Sequence, residues 1–158
     1  MGAGAKSAFA CSCIAPGTPE QELQKSDAVF SGTVHTIDKT TNGYHILFDV
    51  SEIWKGISAA SVEVATAQDS AACGFAFEKD KAYLVYAYES EDGLSTNICT
   101  RTALLSEATN DVIALGESST PLEATSTPFS TSTIIVGILV VLILGFILFK
   151  AFSPKKAI

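Results

Sequence analysis

The sequence predicts a mainly β fold, a five-stranded OB-like barrel with short flanking helices, followed by one C-terminal transmembrane helix. Three observations predict it. Five segments between positions 28 and 102 alternate or run apolar between Gly, Asn, Asp and Lys turn residues. Capped helical stretches flank them at 18–27 and 106–116. Positions 134–149, "IIVGILVVLILGFILF", hold sixteen apolar residues or glycines without a charge.

A chain of 158 residues has room for one domain of roughly 100 to 120 residues with a modest core, plus additional segments. The composition divides it into residues 1–10, a signal-peptide remnant or expression scar; a folded domain, 11–116; a Ser/Thr/Pro-rich stalk, 117–132; a transmembrane helix, 133–152; and a tail, 153–158.

In chain order, "TPEQELQKSD" opens a helix with Thr18 as N-cap and Pro19 at the first helical position. The strands follow as "AVFSGTVHTIDK" (28–39), "GYHILFDVSEIW" (43–54), "SVEVATA" (61–67), "KAYLVYAYE" (81–89) and "LSTNICTRT" (94–102). "SEATNDVIALG" closes the domain as a second helix, with Ser106 as cap and Gly116 as stop. Helices in these places cover the ends of a small barrel, as in an OB-type fold.

The apolar run extends to Phe152 if Lys150 turns its ammonium toward the headgroups, and that length spans a hydrocarbon layer of about 30 Å. A buried core helix needs a larger domain around it and a polar stripe, and the sequence has neither. Lys150, Lys155 and Lys156 lie beyond the span, while no Lys or Arg occurs between Arg101 and Phe149. The positive-inside rule then puts the domain outside the cell in a single-pass, type I arrangement. The stalk, "ESSTPLEATSTPFSTS", has only Leu122, Ala124 and Phe129 to bury, and is expected to be extended. No N-x-[ST] acceptor occurs in the chain.

Residues 11–132 carry six basic side chains against all seventeen acidic ones, a net charge of −11. Such a domain repels a phosphate backbone, which argues against a nucleic-acid partner.

At the front, Ala8 and Ala10 form the A-x-A pattern that signal peptidase cleaves after, leaving Cys11 as the first residue. "MGAGAKSAFA" lacks the apolar stretch of a whole signal peptide, hence its reading as a remnant. Acylation of Cys11 as a lipoprotein is the competing reading, disfavoured by the preceding residues and by the redundant membrane anchor. An exported domain with Cys11, Cys13, Cys73 and Cys99 implies two disulfides among three pairings. Cys11 and Cys13 are too close to bond comfortably to each other, so each reaches a distant partner, for roughly 4 kcal/mol apiece. One C-x-C with two single cysteines is not a structural zinc spacing.

In their order along the chain, Cys11-Ser12-Cys13 with Pro16, "SDAVFSGTV", "YHILFDVSEIWKG", "CGF" at 73–75, "KAYLVYA" and "DGLSTNIC" at 92–99 form a set. This set resembles the netrin-like domain of the tissue inhibitors of metalloproteinases, most closely the short single-domain bacterial proteins similar to them. Each motif alone is weak; the ordered set across residues 11 to about 116 is specific for the fold. The resemblance pairs Cys11 with Cys73 and Cys13 with Cys99. It also implies a function in trans: the free α-amine and carbonyl of Cys11 chelate the catalytic zinc of an extracellular metalloprotease, and Ser12 enters the specificity pocket. Cys13 and Ile14, with Ser70, Ala71, Ala72 and Gly74, form the flanking ridge. The chain departs from the animal inhibitors by lacking a third disulfide and a second cysteine-rich domain, and fold transfers across such losses more readily than activity.

Other chemistry is poorly supported by the residues. His35 and His45, read as facing each other across a hairpin, lack a carboxylate cluster for a metal. No G-x-S-x-G elbow surrounds any serine, and the disulfides leave no thiol nucleophile. Asp49 and Glu52 are three apart on a strand and fall on opposite faces, whereas Tyr86 and Tyr88 share one. Trp54 and the tyrosines read as barrel wall. The expectation is therefore a binding protein, not an enzyme, with no cofactor of its own. Two readings compete with inhibition: a ligand-binding or adhesion module on the same fold, indifferent to metal, and an accessory subunit of a membrane complex. Gly137 and Gly145, eight apart, give only faint support to helix packing of the second kind.

Overall fold

A computed structural model describes residues 11–122. The expected leader, the expected transmembrane segment 133–152 and tail, and most of the expected stalk lie outside the described residues. Among the described residues, no helix is long and apolar enough to cross a membrane.

The described chain is mainly β: a closed five-stranded barrel with two short helices. Helix α1 (Pro19–Lys25) begins as expected, with a reciprocal cap in which Gln21 N–H donates to Thr18 Oγ1 and Thr18 N–H to Gln21 Oε1. Strand β1 (Ala28–Lys39) pairs antiparallel with β2 (Gly43–Lys55), and β2 with β3 (Ser61–Ala67). Beyond β3 come a 3₁₀ turn (Ser70–Ala72), β4 (Ala82–Ser90) and β5 (Gly93–Ser95), then a two-strand-residue stub, β6 (Ala103–Leu104), and α2 (Thr109–Leu115). The barrel order is β1-β2-β3-β5-β4, and β4 returns to pair with β1 through Ala28 to Thr33.

Closure depends on β1 serving two partners. Its register against β2 slips at Val29/Phe30, Ser31/Gly32 and Val34/Thr36, and such bulges bend and twist a strand around a tight barrel. Inside, Phe30, Val34, Ile46, Phe48, Val64, Tyr83 and Val85 are fully or almost fully buried. Their centre is aromatic, with Phe48 meeting Phe30 and Phe77 edge-on at centroid distances of 5.5 and 5.2 Å.

Strand β4 is buried on both faces. Tyr83, Val85 and Ala87 fill the barrel, while Val29 of β1 joins Leu84 and Tyr86 in a second cluster covered by Leu23 of α1 and Val112 and Leu115 of α2. An apolar run in place of alternation at 82–87 is the sequence trace of this double burial.

Two expectations need correction. The stretch 94–102 is not one strand: β5 ends at Ser95, and a threonine-rich turn follows. Its hydroxyls do the work of a ladder partner, since Thr96 Oγ1 donates to Tyr86 O at 2.9 Å and Thr102 Oγ1 accepts from Tyr86 N–H at 3.0 Å. Helix α2 starts at Thr109, after Ala108, which has no side-chain cap bond; Ser106 is therefore not the cap, although Gly116 ends the helix at φ 71° as expected. The first stalk residues are also more engaged than predicted. Ser119 exchanges two 2.8 Å backbone hydrogen bonds with Ile53, and Leu122 N–H donates to Ser58 O.

Candidate functional site

The chain enters the described fold as an extended strip stapled to one end of the barrel. Cys11 is bonded to Cys73 and Cys13 to Cys99, the pairing that the resemblance implies, with Cα separations of 5.2 and 5.1 Å. The two bridges touch, Cys11 Sγ lying 3.7 Å from Cys99 Sγ. Beneath them the 69–74 loop is tightly wound. Asp69 caps the 3₁₀ turn by accepting from Ala72 N–H at 3.0 Å, and its carbonyl accepts from Gly74 N–H at 2.7 Å. Cys73 sits at φ 64°, left-handed, which turns the loop back toward the end of β3, where Phe75 N–H donates to Thr66 Oγ1 at 2.8 Å. A Cβ on Gly74 would run into the Ala67 carbonyl oxygen, so the closeness of this loop to the end of β3 requires glycine there.

The strip is tied to that loop by backbone as well as sulfur, Cys11 N–H donating to Ala71 O at 3.1 Å, and the turn before Cys99 is tied to it by Ile98 N–H donating to Cys73 O at 3.0 Å. Of the expected contact residues, Ser12, Cys13, Ile14, Ser70, Ala71 and Ala72 are exposed together at this end, and Cys11 is half-buried. Gly74 is buried and supports the loop from below. Ile14, next to Cys13, is 91% exposed, and Ile98, next to Cys99, is 40% exposed.

The sulfurs of Cys11, Cys13 and Cys99 lie within 4.8 Å of one another, a spacing that free thiolates could use to hold a metal. All three are oxidised into disulfides, and no cysteine among the described residues is free to ligate. His35 and His45 do not face each other. The bulge at Val34/Thr36 shifts the register so that His45 lies opposite Asp38, and each histidine has its own carboxylate: Asp49 at 2.9 Å for His35, Glu63 at 2.6 Å for His45. These are two separate cross-strand pairs. A largely apolar cavity of about 490 Å³ opens beside the staple, walled by Ile37, Tyr44, Phe75, Phe77 and Ile98, with Ser70 at its rim.

Sequence reasoning missed the polar bolts behind the strip. Glu22 is buried, 5% exposed, and accepts from Gly17 N–H and Lys25 Nζ, both at 2.8 Å, and from Tyr88 OH at 3.3 Å. The Lys25 ammonium, then the Gly17 amide and the Tyr88 hydroxyl, hold its carboxyl below the ordinary value, against the opposing effect of burial. A pKa lowered by folding contributes stability that is present above the unfolded value, near 4.5, and lost as the pH falls through the folded value. Glu22→Gln is therefore expected to flatten acid unfolding below about pH 4.5 and to cost roughly 1.5 to 3 kcal/mol at pH 7. Urea midpoints at pH 3, 4, 5 and 7 check this; parallel pH profiles for the two proteins would remove Glu22 from the account. Arg101, the only arginine in the chain, completes the set by binding both Asp111 and the Gly17 carbonyl. Its sequence signal was that uniqueness, two residues beyond Cys99.

No family model matches the chain, and no curated protein matches it in sequence.

Proposed function

We propose that this is a membrane-anchored, extracellular domain of the netrin-like, metalloproteinase-inhibitor type, an OB-like barrel that acts by presenting the Cys11 end to a zinc protease. One observation carries the reading: two adjacent disulfides hold an exposed Ser12–Ile14 ridge rigidly beside exposed Ser70–Ala72. A short peptide held in one shape loses little entropy on binding, which favours an inhibitor over a flexible substrate. The barrel order and the flanking helices support the OB-like assignment.

If cleavage leaves Cys11 first, its nitrogen becomes an amine titrating near pH 8. The neutral amine has two hydrogens and a lone pair. One hydrogen can keep the bond now made to Ala71 O while the lone pair serves the open fourth position of a protease zinc. The Cys11 carbonyl oxygen accepts no hydrogen bond among the described residues and is a second donor of the same kind. Comparing zinc-protease inhibition by chains that begin at Cys11, Ala10 and Met1 tests the proposal.

A binding module indifferent to metal is favoured by Ile14, an apolar anchor in the ridge that needs no zinc.

The anchor belongs to the same proposal: 133–152 spans the membrane, with 153–158 inside. Protease added to intact cells is expected to release the disulfide-bonded domain by cutting in the 123–132 part of the stalk. A domain that stays cell-bound and uncut until the cells are lysed would overturn the type I arrangement.

A further inference from the structure

We propose that the Gly17 backbone is a clasp, gripped from both sides by opposite charges, that fixes the 12–16 ridge in place, with Arg101 as its positioning residue. For its inhibition arm alone, the inference rests on the reading above. Gly17 N–H donates to Glu22 Oε1 at 2.8 Å, and Gly17 O accepts from Arg101 Nη1 at 2.8 Å. The carboxylate is itself held by Lys25 and Tyr88. The guanidinium is held by a two-point fork on Asp111 of α2, Nε to Oδ2 at 2.7 Å and Nη2 to Oδ1 at 2.6 Å. That fork leaves Nη1 aimed at one acceptor, which a lysine ammonium cannot reproduce.

The surroundings fit a built device. The Asp111 and Arg101 side chains are 13% and 26% exposed. Beside them the buried Tyr86 hydroxyl has no hydrogen-bond partner among the described residues. Burial, with Asp111 adding, pushes that phenol far above its ordinary value, so the floor beneath the guanidinium is neutral. A Cβ on residue 17 would lie 2.6 Å from Gln21 Oε1 and 2.9 Å from Glu22 Oε1, so a side chain there would push the gripping carboxylate aside.

Position gives the clasp its purpose. Cys13 is bonded to Cys99, and Gly17 is hydrogen-bonded to Arg101, so one short segment, 99–101, holds both ends of the ridge. Between those anchors Ile14, Ala15 and Pro16 are exposed and make no hydrogen bond among the described residues. A free span anchored at two points presents Ile14 in few directions; anchored only at Cys13, it pivots.

The test measures amide hydrogen exchange in Arg101→Met, Arg101→Lys and Gly17→Ala, made in the full disulfide-bonded chain, beside thermal midpoints. Exchange at the residue-17 amide is expected to rise about 10-fold or more in Arg101→Met and Gly17→Ala, and less in Arg101→Lys, while the β1 and β4 amides keep wild-type rates. Equal acceleration of the residue-17 and barrel amides would reduce Arg101 to a general stabiliser, and an unchanged residue-17 rate would remove the clasp; either result overturns the proposal. If Arg101→Met does not fold, Asp111→Asn, which keeps the arginine and removes its orienting charge, carries the same expectation. In chains beginning at Cys11, Arg101→Met should weaken zinc-protease inhibition about 10-fold at unchanged barrel exchange. Absence of inhibition by the wild type would sink the protease reading and leave the exchange result to decide the clasp.

Discussion

Replacing Cys13 and Cys99 together by serine is expected to destabilise the domain by up to roughly 4 kcal/mol, the value for that loop taken alone, and Cys11 with Cys73 by nearly as much. The bridges close loops of 86 and 62 residues, and the chain-entropy cost of such loops changes only slowly with length. A loss of that size should lower the melting temperature by about 20 °C for a domain of about 110 residues. The two losses should not add. Both loops contain residues 13–73, so either bridge alone already restricts much of the unfolded chain that the other restricts. Chemical denaturation of the two double-serine variants and of the four-serine variant measures this. A four-serine loss equal to the sum of the two would contradict the shared-loop account, and a change under about 1 kcal/mol in either pair would mean that the barrel alone carries the stability.

The three strands 28–39, 43–55 and 61–67 were legible because each carries its own evidence: alternation, β-branched residues, and turn residues such as Asn42-Gly43 at the hairpin. The first helix was legible for the same reason, since Thr18, Pro19 and Gln21 are a local signal. The turn at 96–102 was not. Its threonines have the β propensity of a strand, but their hydroxyls are spent on the backbone of Tyr86, a partner ten or more residues away that no local pattern announces. Ser106 failed as a cap because Ala108 N–H is already held by Leu104 and Leu105, and Ala108 takes the cap position in its place.

At the candidate site, the cysteines and their neighbours could be read from the sequence because covalent chemistry and the resemblance both pointed there. Glu22, Arg101 and Asp111 could not. Each reads as an ordinary solvated charge on a helix or turn, and only the approach of α1, α2 and the 99–101 segment to Gly17 makes them a set. For Gly74, the motif could not announce its tight approach to Ala67, which puts it beneath the surface.

The chain that begins at Cys11 is expected to inhibit at least one extracellular zinc protease, and the forms that begin at Ala10 or Met1 to inhibit it about 100-fold more weakly or not at all, a difference of at least about 2.7 kcal/mol. The reason lies in one nitrogen. With Ala10 attached, the Cys11 nitrogen is an amide whose lone pair is delocalised into the carbonyl and whose single hydrogen is engaged by Ala71 O. Freed, it is an amine with a lone pair to donate, and zinc accepts nitrogen and oxygen ligands at its open position. All three forms should fold alike, because both disulfides and the Gly17 contacts lie at or after residue 11. Equal thermal midpoints therefore make the comparison one of chemistry and not of stability. Inhibition by the Cys11 form should also strengthen between pH 6 and pH 8, as the amine near pH 8 loses its proton. Enlarging exposed Ser12 to leucine should weaken inhibition of proteases with a narrow pocket and spare those with a deep one. Equal inhibition by the three forms would mean that another surface binds the protease. Inhibition by none would transfer the ridge to the metal-indifferent reading, in which Ile14 is the anchor; Ile14→Ala should then abolish capture of the partner by all three forms equally.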